Sequence, residues 1–182
     1  PIVKRLRHER PEVDLKLKET LPSIMLDEVL RGELDAAITF GQGAVKGLAV
    51  GPILRESLVL AVPRGHVLAR NALIAPSMIG DEGLIVTPRE VAPPLRRAID
   101  SYFASCNTEP RVRLETQLQH TIVSLVAQGI GVALVPSSLA SLGTDGVVFV
   151  PLQDAPEIEH VLVWREDNRN PALSAFANGI EL

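Results

Sequence analysis

The chain has 182 residues, enough for one domain or two small lobes with a substantial core. Hydrophobic residues make up 46% of it but aromatics only 3%, so the core must be mostly Val, Leu, Ile and Ala, as in parallel or mixed sheets covered by helices on both faces. With 18 basic and 22 acidic side chains the net charge is −4, and no dense Lys/Arg block sets this stretch up to bind nucleic acid by itself.

The single cysteine, Cys106, excludes an internal disulfide and offers no metal motif, which fits a reducing, cytoplasmic setting. Near the end of an apolar helix, it reads as a packed thiol rather than a nucleophile. No apolar run approaches the roughly 20 residues needed to span a bilayer. Residues 1–10, PIVKRLRHER, are charged and helical rather than a secretory signal. The chain starts inside this helix-like segment, as a piece of a longer protein would.

In chain order, Ile2, Val3 and Leu6 stand at helical spacing until Pro11 stops the helix. VDLKLK (13–18) alternates apolar and polar residues as a half-buried strand does. Pro22 and Ser23 open a helix with Leu26, Val29 and Leu30 on its apolar face and Gly32 as its C-cap, and DAAITF (35–40) reads as a buried strand. Such a β-α-β unit predicts parallel pairing. GQGAVKG (41–47) lacks the spacing of a phosphate-binding loop and reads as a turn, followed by the strand SLVLAVP (57–63) and a surface connection.

A second series starts near Pro76. The strand GLIV (83–86) leads into the polar loop TPREVAPP (87–94), a helix from Leu95 to about Ser105, and a strand near RVRLET (111–116). A helix then runs to Gln128, followed by the strand GVALVP (131–136). Strands at 147–152 and 160–166 return the chain, and a helix from Pro171 to about Asn178 closes it. The pattern is two similar α/β lobes, residues 1–62 with 152–182 and residues 63–151. In open α/β sheets ligands sit beyond the carboxyl ends of the strands. Those ends are Thr20, Phe40, Thr87 and Thr116.

Three segments, PEVDLKLKETLPSIMLDEVLRGELDAAI, RESLVLAVPRGHVLA and LVAQGIGVALVPSSL, in this order and spacing, resemble the effector-binding domain of LysR-type transcriptional regulators. The resemblance covers essentially the whole chain. It implies an α/β fold of the periplasmic-binding-protein type 2 kind, with two Rossmann-like subdomains joined by two crossover strands. It also implies an effector cleft between the subdomains, dimers through this domain and tetramers in full-length proteins. DNA contact would belong to an N-terminal winged helix-turn-helix that this sequence lacks, and the first strand of the domain is also missing. For the dimer, the resemblance points to the first helix of one chain against the Leu95–Ser105 helix of its partner.

Carrying the family's cleft positions over gives Thr20, Pro22 and Ser23 at the start of the second helix. The usual hydroxyl position falls on Pro22, so Thr20 or Ser23 must stand in. Phe40 falls where some members that recognise aromatic-pathway acids carry an arginine. In the second lobe the positions are Thr87, Arg89, Pro93 and Leu95, facing Gln119, His120 and Thr121. A helix N-terminus favours a carboxylate, so a small organic acid is the expected effector. The ordinary alternatives are that Thr116 and Thr121 cap a helix, that His120 is a surface residue and that Arg89 is a solvated cation.

An enzyme is the rival class. The histidines His8, His66, His120 and His160 are scattered without zinc-hydrolase spacing, and no G-x-S-x-G elbow surrounds any serine. Asp27, Glu28 and Glu33 read as a solvated helix face rather than an acid/base pair. No motif asks for a metal or an organic cofactor. A periplasmic-type solute receptor shares the fold and is the second rival.

Overall fold

A computed structural model describes residues 2–41 and 43–178. The chain forms two compact units, one running to Leu54 and resuming at Glu159, the other Arg55–Ile158. The long strands β2 (Leu48–Pro63) and β7 (Glu157–Arg165) carry the chain across these boundaries.

In the first unit, α1 (Ile2–Glu9) ends before Pro11, and α2 (Pro22–Leu30) begins on Pro22, whose fixed φ and missing N–H suit a first helical position. Gly32 takes φ +72°, the left-handed turn that ends the helix. β1 (Ala36–Phe40) pairs antiparallel with β7, and the sheet order continues to β2. Alternation along β7 serves both faces. Val161 and Val163 pack with Val29, Ala37 and Leu48 under α2, while Leu162 and Trp164 pack with Ile53, Leu173 and Phe176 of α6 (Pro171–Asn178). The Trp164 ring lies so close to Gly51 of β2 that a Cβ there would meet it at 3.2 Å.

Three expectations change here. Residues 13–18 form no strand ladder among the described residues, so no parallel β-α-β unit forms with β1. Alternation says which side of an extended chain can be covered but supplies no neighbouring backbone; Val13 and Leu15 are half-buried, and Leu17 is 74% exposed. Residues 35–40 are less buried than an apolar run suggests, with Ala37 and Thr39 inward and Ile38 outward. Glu28 is not on a solvated face: it is buried, with Oε1 2.7 Å from Lys18 Nζ, so the pair ties the extended segment to α2. Asp27 and Glu33 are both exposed, as expected.

In the second unit, β3 (Leu84–Val86) and β4 (Val112–Glu115) pair in parallel, with α4 (Pro93–Ala104) as the crossover between them. α5 (Gln119–Ala127) then leads to β5 (Ala133–Pro136). β5 flanks β3 through the parallel bridge Leu84–Val132 and pairs antiparallel with β2, whose other neighbour within this unit is β6 (Val147–Pro151). Ile122, Val123 and Val126 of α5 close over Ile85, Ala133 and Val135, giving a core of the branched aliphatics that the composition demands. Two short elements escaped the sequence reading: α3 (Pro76–Ile79) and a 3-10 turn at Val67–Arg70. After β5 the chain turns through a 3-10 segment, Ser137–Leu142. Its start is held by the Glu56 carboxylate, which accepts from Ser138 N at 2.7 Å and from both serine hydroxyls.

Cys106 is exposed in the turn after α4, so the packed-thiol expectation is corrected: the helix stops at Ala104, and Cys106 follows its apolar face rather than lying on it. The chain's one tyrosine, Tyr102, is buried beside Phe103, and its hydroxyl bonds to Ile74 O and Gln153 O. Burial, helped by negative charge at Cys106 and Asp154, pushes its pKa from 10.0 up to about 12. The folded state therefore holds this proton more tightly than the unfolded state. Its contribution to stability is full below pH 10.0 and disappears as the pH rises to about 12. Tyrosinate absorbance in the native protein should emerge at the upper end of that window, and Tyr102→Phe should flatten the alkaline fall in stability. Emergence near the unfolded value would show the phenol to be accessible.

Candidate functional site

The candidate residues fall into one group in each unit. In the first unit, Thr20 is half-buried just before α2, Pro22 is the helix's first residue, and the Ser23 side chain lies outside the described residues. Ile24 and Met25 both bond back to Leu21 O, so this first turn keeps few donors for a ligand. Phe40 ends β1 with its ring tilted 57° against His160, centroids 5.1 Å apart.

The second unit gathers the larger group at the carboxyl ends of β3 and β4. Thr87 follows β3 directly and is 2% exposed. Thr116 follows β4, its N–H bonded to Val86 O at 3.0 Å, so both strand ends are held level. Across this junction Gln119 Nε2 donates to Thr87 Oγ1 at 2.7 Å. Gln119 Oε1 is buried and has no hydrogen-bond partner among the described residues. Exchanging the amide's nitrogen and oxygen would let Thr87 donate instead but would leave the amino group alone, so either orientation keeps one unsatisfied polar atom in place.

Gln119, His120 and Thr121 are the first three residues of α5. The N-cap position is Leu118, with no side-chain cap, and the first bond back is Ile122 N to Leu118 O. Neither Thr116 nor Thr121 caps this helix, which removes that ordinary explanation. The three leading amides are the helix's orphan donors at its positive end, with no acidic side chain in the first turn to neutralise them. α4 differs. It starts Pro93-Pro94, which have no N–H, and Arg96 N already bonds to Ala92 O, leaving Leu95 N–H as the leading donor. The Leu95 side chain is 1% exposed and belongs to the core. His120 and Thr121 have exposed side chains.

Arg89 is neither free nor simply solvated: its Nη1 lies 2.7 Å from Asp100 Oδ2. Asp100 Oδ1 in turn accepts from Arg96 Nε at 3.2 Å, and Arg96 Nη1 reaches Glu115 Oε1 at 2.9 Å. Burial works against the Arg96 charge, but the bonds to Glu115 and Asp100 outweigh it and move the pKa above its ordinary value. Sequence reasoning passed over Arg96, Asp100 and Glu115. The i,i+4 spacing of Arg96 and Asp100 was visible, but nothing local signals that Arg96 faces inward.

Among the described residues no helix is long and apolar enough to cross a membrane. A family profile described as LysR substrate binding domain matches residues 1–181. The chain is 31% identical over 178 residues to the HTH-type transcriptional regulator IlvR of Caulobacter vibrioides, covering 96% of this chain and 60% of that protein. It is 28% identical to AlsR of Bacillus subtilis, covering 97% of this chain and 59% of that one. The chain thus spans about three fifths of the length of these relatives. Among solved structures it superposes on CbnR, a LysR family transcriptional regulator, with a TM-score of 0.87 at 17% identity over 98% of this chain and 62% of that one. It also superposes on the effector binding domain of a BenM variant, with a TM-score of 0.82 at 21% identity over 98% and 84%. These likenesses establish the fold expected from the sequence. The chain belongs to the LysR substrate-binding domain family.

Proposed function

We propose that this chain is the ligand-sensing domain of a LysR-type transcriptional regulator and that it binds a small organic carboxylate at the carboxyl ends of β3 and β4. The observation that carries the reading is the start of α5: three uncapped amides at the positive end of a helix beside a buried amide atom of Gln119 that lacks a partner among the described residues. A carboxylate would accept from the Gln119, His120 and Thr121 backbone N–H groups and, with the amide turned so that the Thr87 hydroxyl donates to its oxygen, from the freed Gln119 side-chain N–H. By the resemblance, Thr20, Pro22, Ser23 and Phe40 stand at the family's corresponding positions in the first unit. DNA contact and higher assembly would belong to the parent protein. The relatives are named HTH-type regulators, and a full-length CbnR structure is complexed with its target DNA. A cytoplasmic location follows from that role.

Calorimetric titration of the chain with a panel of aliphatic and aromatic carboxylates and their neutral amides tests the reading. Carboxylates should bind and their amides should not. Gln119→Ala should weaken the binding about tenfold, the loss expected for one hydrogen bond to a charged group. Binding confined to neutral or cationic compounds, or affinity indifferent to Gln119, would rule the site out.

A further inference from the structure

Asp100 stands between two arginines of opposite exposure. On one side Arg96 is buried, its side chain 8% exposed, and its Nε donates to Oδ1; on the other Arg89 is 64% exposed, and its Nη1 lies 2.7 Å from Oδ2 as an ion pair without hydrogen-bond alignment. The two cations are not equally free to leave. A buried guanidinium that abandons its carboxylates stays desolvated and unpaired, whereas an exposed ion pair can be traded for water or another anion at little cost. Arg96 is further fixed from the far side by Glu115 at the end of β4. Asp100 thus keeps a partner whatever Arg89 does.

The loop that carries Arg89 is held at both ends. It begins at Thr87, which receives the Gln119 side chain, and turns through bonds from Val91 N and Ala92 N to Pro88 O. It then passes into α4, where Arg96 and Asp100 lie. Between these anchors the Arg89 side chain is the exposed, cationic part, two residues from Thr87. Gln119, at the other end of the Thr87 bond, opens α5 among the uncapped amides.

We propose that Arg89 is an exchangeable anion contact, parked on Asp100 in the free protein and drawn off by an anionic ligand at the start of α5, and that Arg96 is the positioning residue that keeps Asp100 neutralised when Arg89 leaves. This rests on the carboxylate reading above and adds to it how the site responds. The ligand competes with an internal carboxylate, so occupancy is converted into release of the loop from α4.

The test uses the arginine guanidinium NMR signals of the chain, Nη–Hη for Arg89 and Nε–Hε for Arg96, in two arms. Without ligand, Asp100→Asn should shift the Arg89 signal and speed its exchange with water, while the Arg96 signal stays protected by Glu115 and the remaining amide oxygen. An unchanged Arg89 signal overturns the parking. With acetate and benzoate as probes, the wild-type Arg89 signal should move towards its position in Asp100→Asn as the site fills. Arg89→Gln should weaken either probe about tenfold and Asp100→Asn should tighten it several-fold, since a charge-assisted bond is lost in the first and a competitor in the second. Binding of both probes with Arg89 unmoved and its variant unimpaired overturns the exchange and leaves the carboxylate reading standing. Binding of neither probe overturns both.

Discussion

Gly131→Ala should cost about 3 kcal/mol or more, above the usual range for an added core methyl, because the group it strikes is backbone. A Cβ at Gly131 would lie 2.3 Å from Gly83 O and 3.2 Å from Ile85 Cγ1. Gly83 O is the acceptor for Val132 N, and Ile85 N donates to Val132 O, so the bonds that set β5 beside β3 pass through this contact. A side chain could rotate away; a carbonyl bonded into the sheet must take its strand with it. Gly129 is the control. It takes φ +73° with nothing within 4 Å of an added methyl, so Gly129→Ala should lose only the left-handed penalty of about 1–2 kcal/mol. For a chain of this size the Gly131 variant should melt roughly 6–12 °C lower than the parent. Equal shifts in the two variants would mean that β3 and β5 are not this close.

Arg96→Met should destabilise by about 3 kcal/mol, at the low end for removing one partner of a buried ion pair because Asp100 retains Arg89. The substitution fills similar space but leaves Glu115 and one side of Asp100 without the cation that joined them. Arg89→Met, which removes an exposed pair, should cost under about 1 kcal/mol and lose even that at high salt. Urea midpoints at low and high salt separate the two. If the Arg96 variant is as mild and as salt-sensitive as the Arg89 variant, Arg96 is not the buried centre of the network.

The second unit was the more legible half of the sequence because its elements are local and strongly patterned. The strand GLIV, the helix expected from Leu95 and found from Pro93, the strand at RVRLET and the helix at Gln119 are locally patterned, and their connections are short enough to force the β3–β4 parallel pair. The first unit was harder because its sheet is made by residues far apart in sequence. β1 finds β7, with Ala36 opposite Trp164, and the alternation in VDLKLK could not reveal that no described strand pairs beside it. The same division applies to the site. Thr87 and the opening polar cluster of α5 were readable as a helix start beyond a strand end, whereas their mutual hydrogen bond and the Arg89–Asp100–Arg96–Glu115 network depend on which side chains turn inward. An arginine at the start of an amphipathic helix gives no local sign that it is one of the few buried charges.

The indole of Trp164 packed on Gly51 gives the protein its own optical gauge. It is the chain's single tryptophan, carried on β7 against β2, the two strands that run on from the first unit into the second. Indole emission responds to solvent and to neighbouring dipoles, so a change in the way β2 and β7 lie together at Gly51 would alter its colour and intensity without any label. A titration of the intact chain can therefore be followed at the crossing strands themselves, in the same cuvette that reports binding.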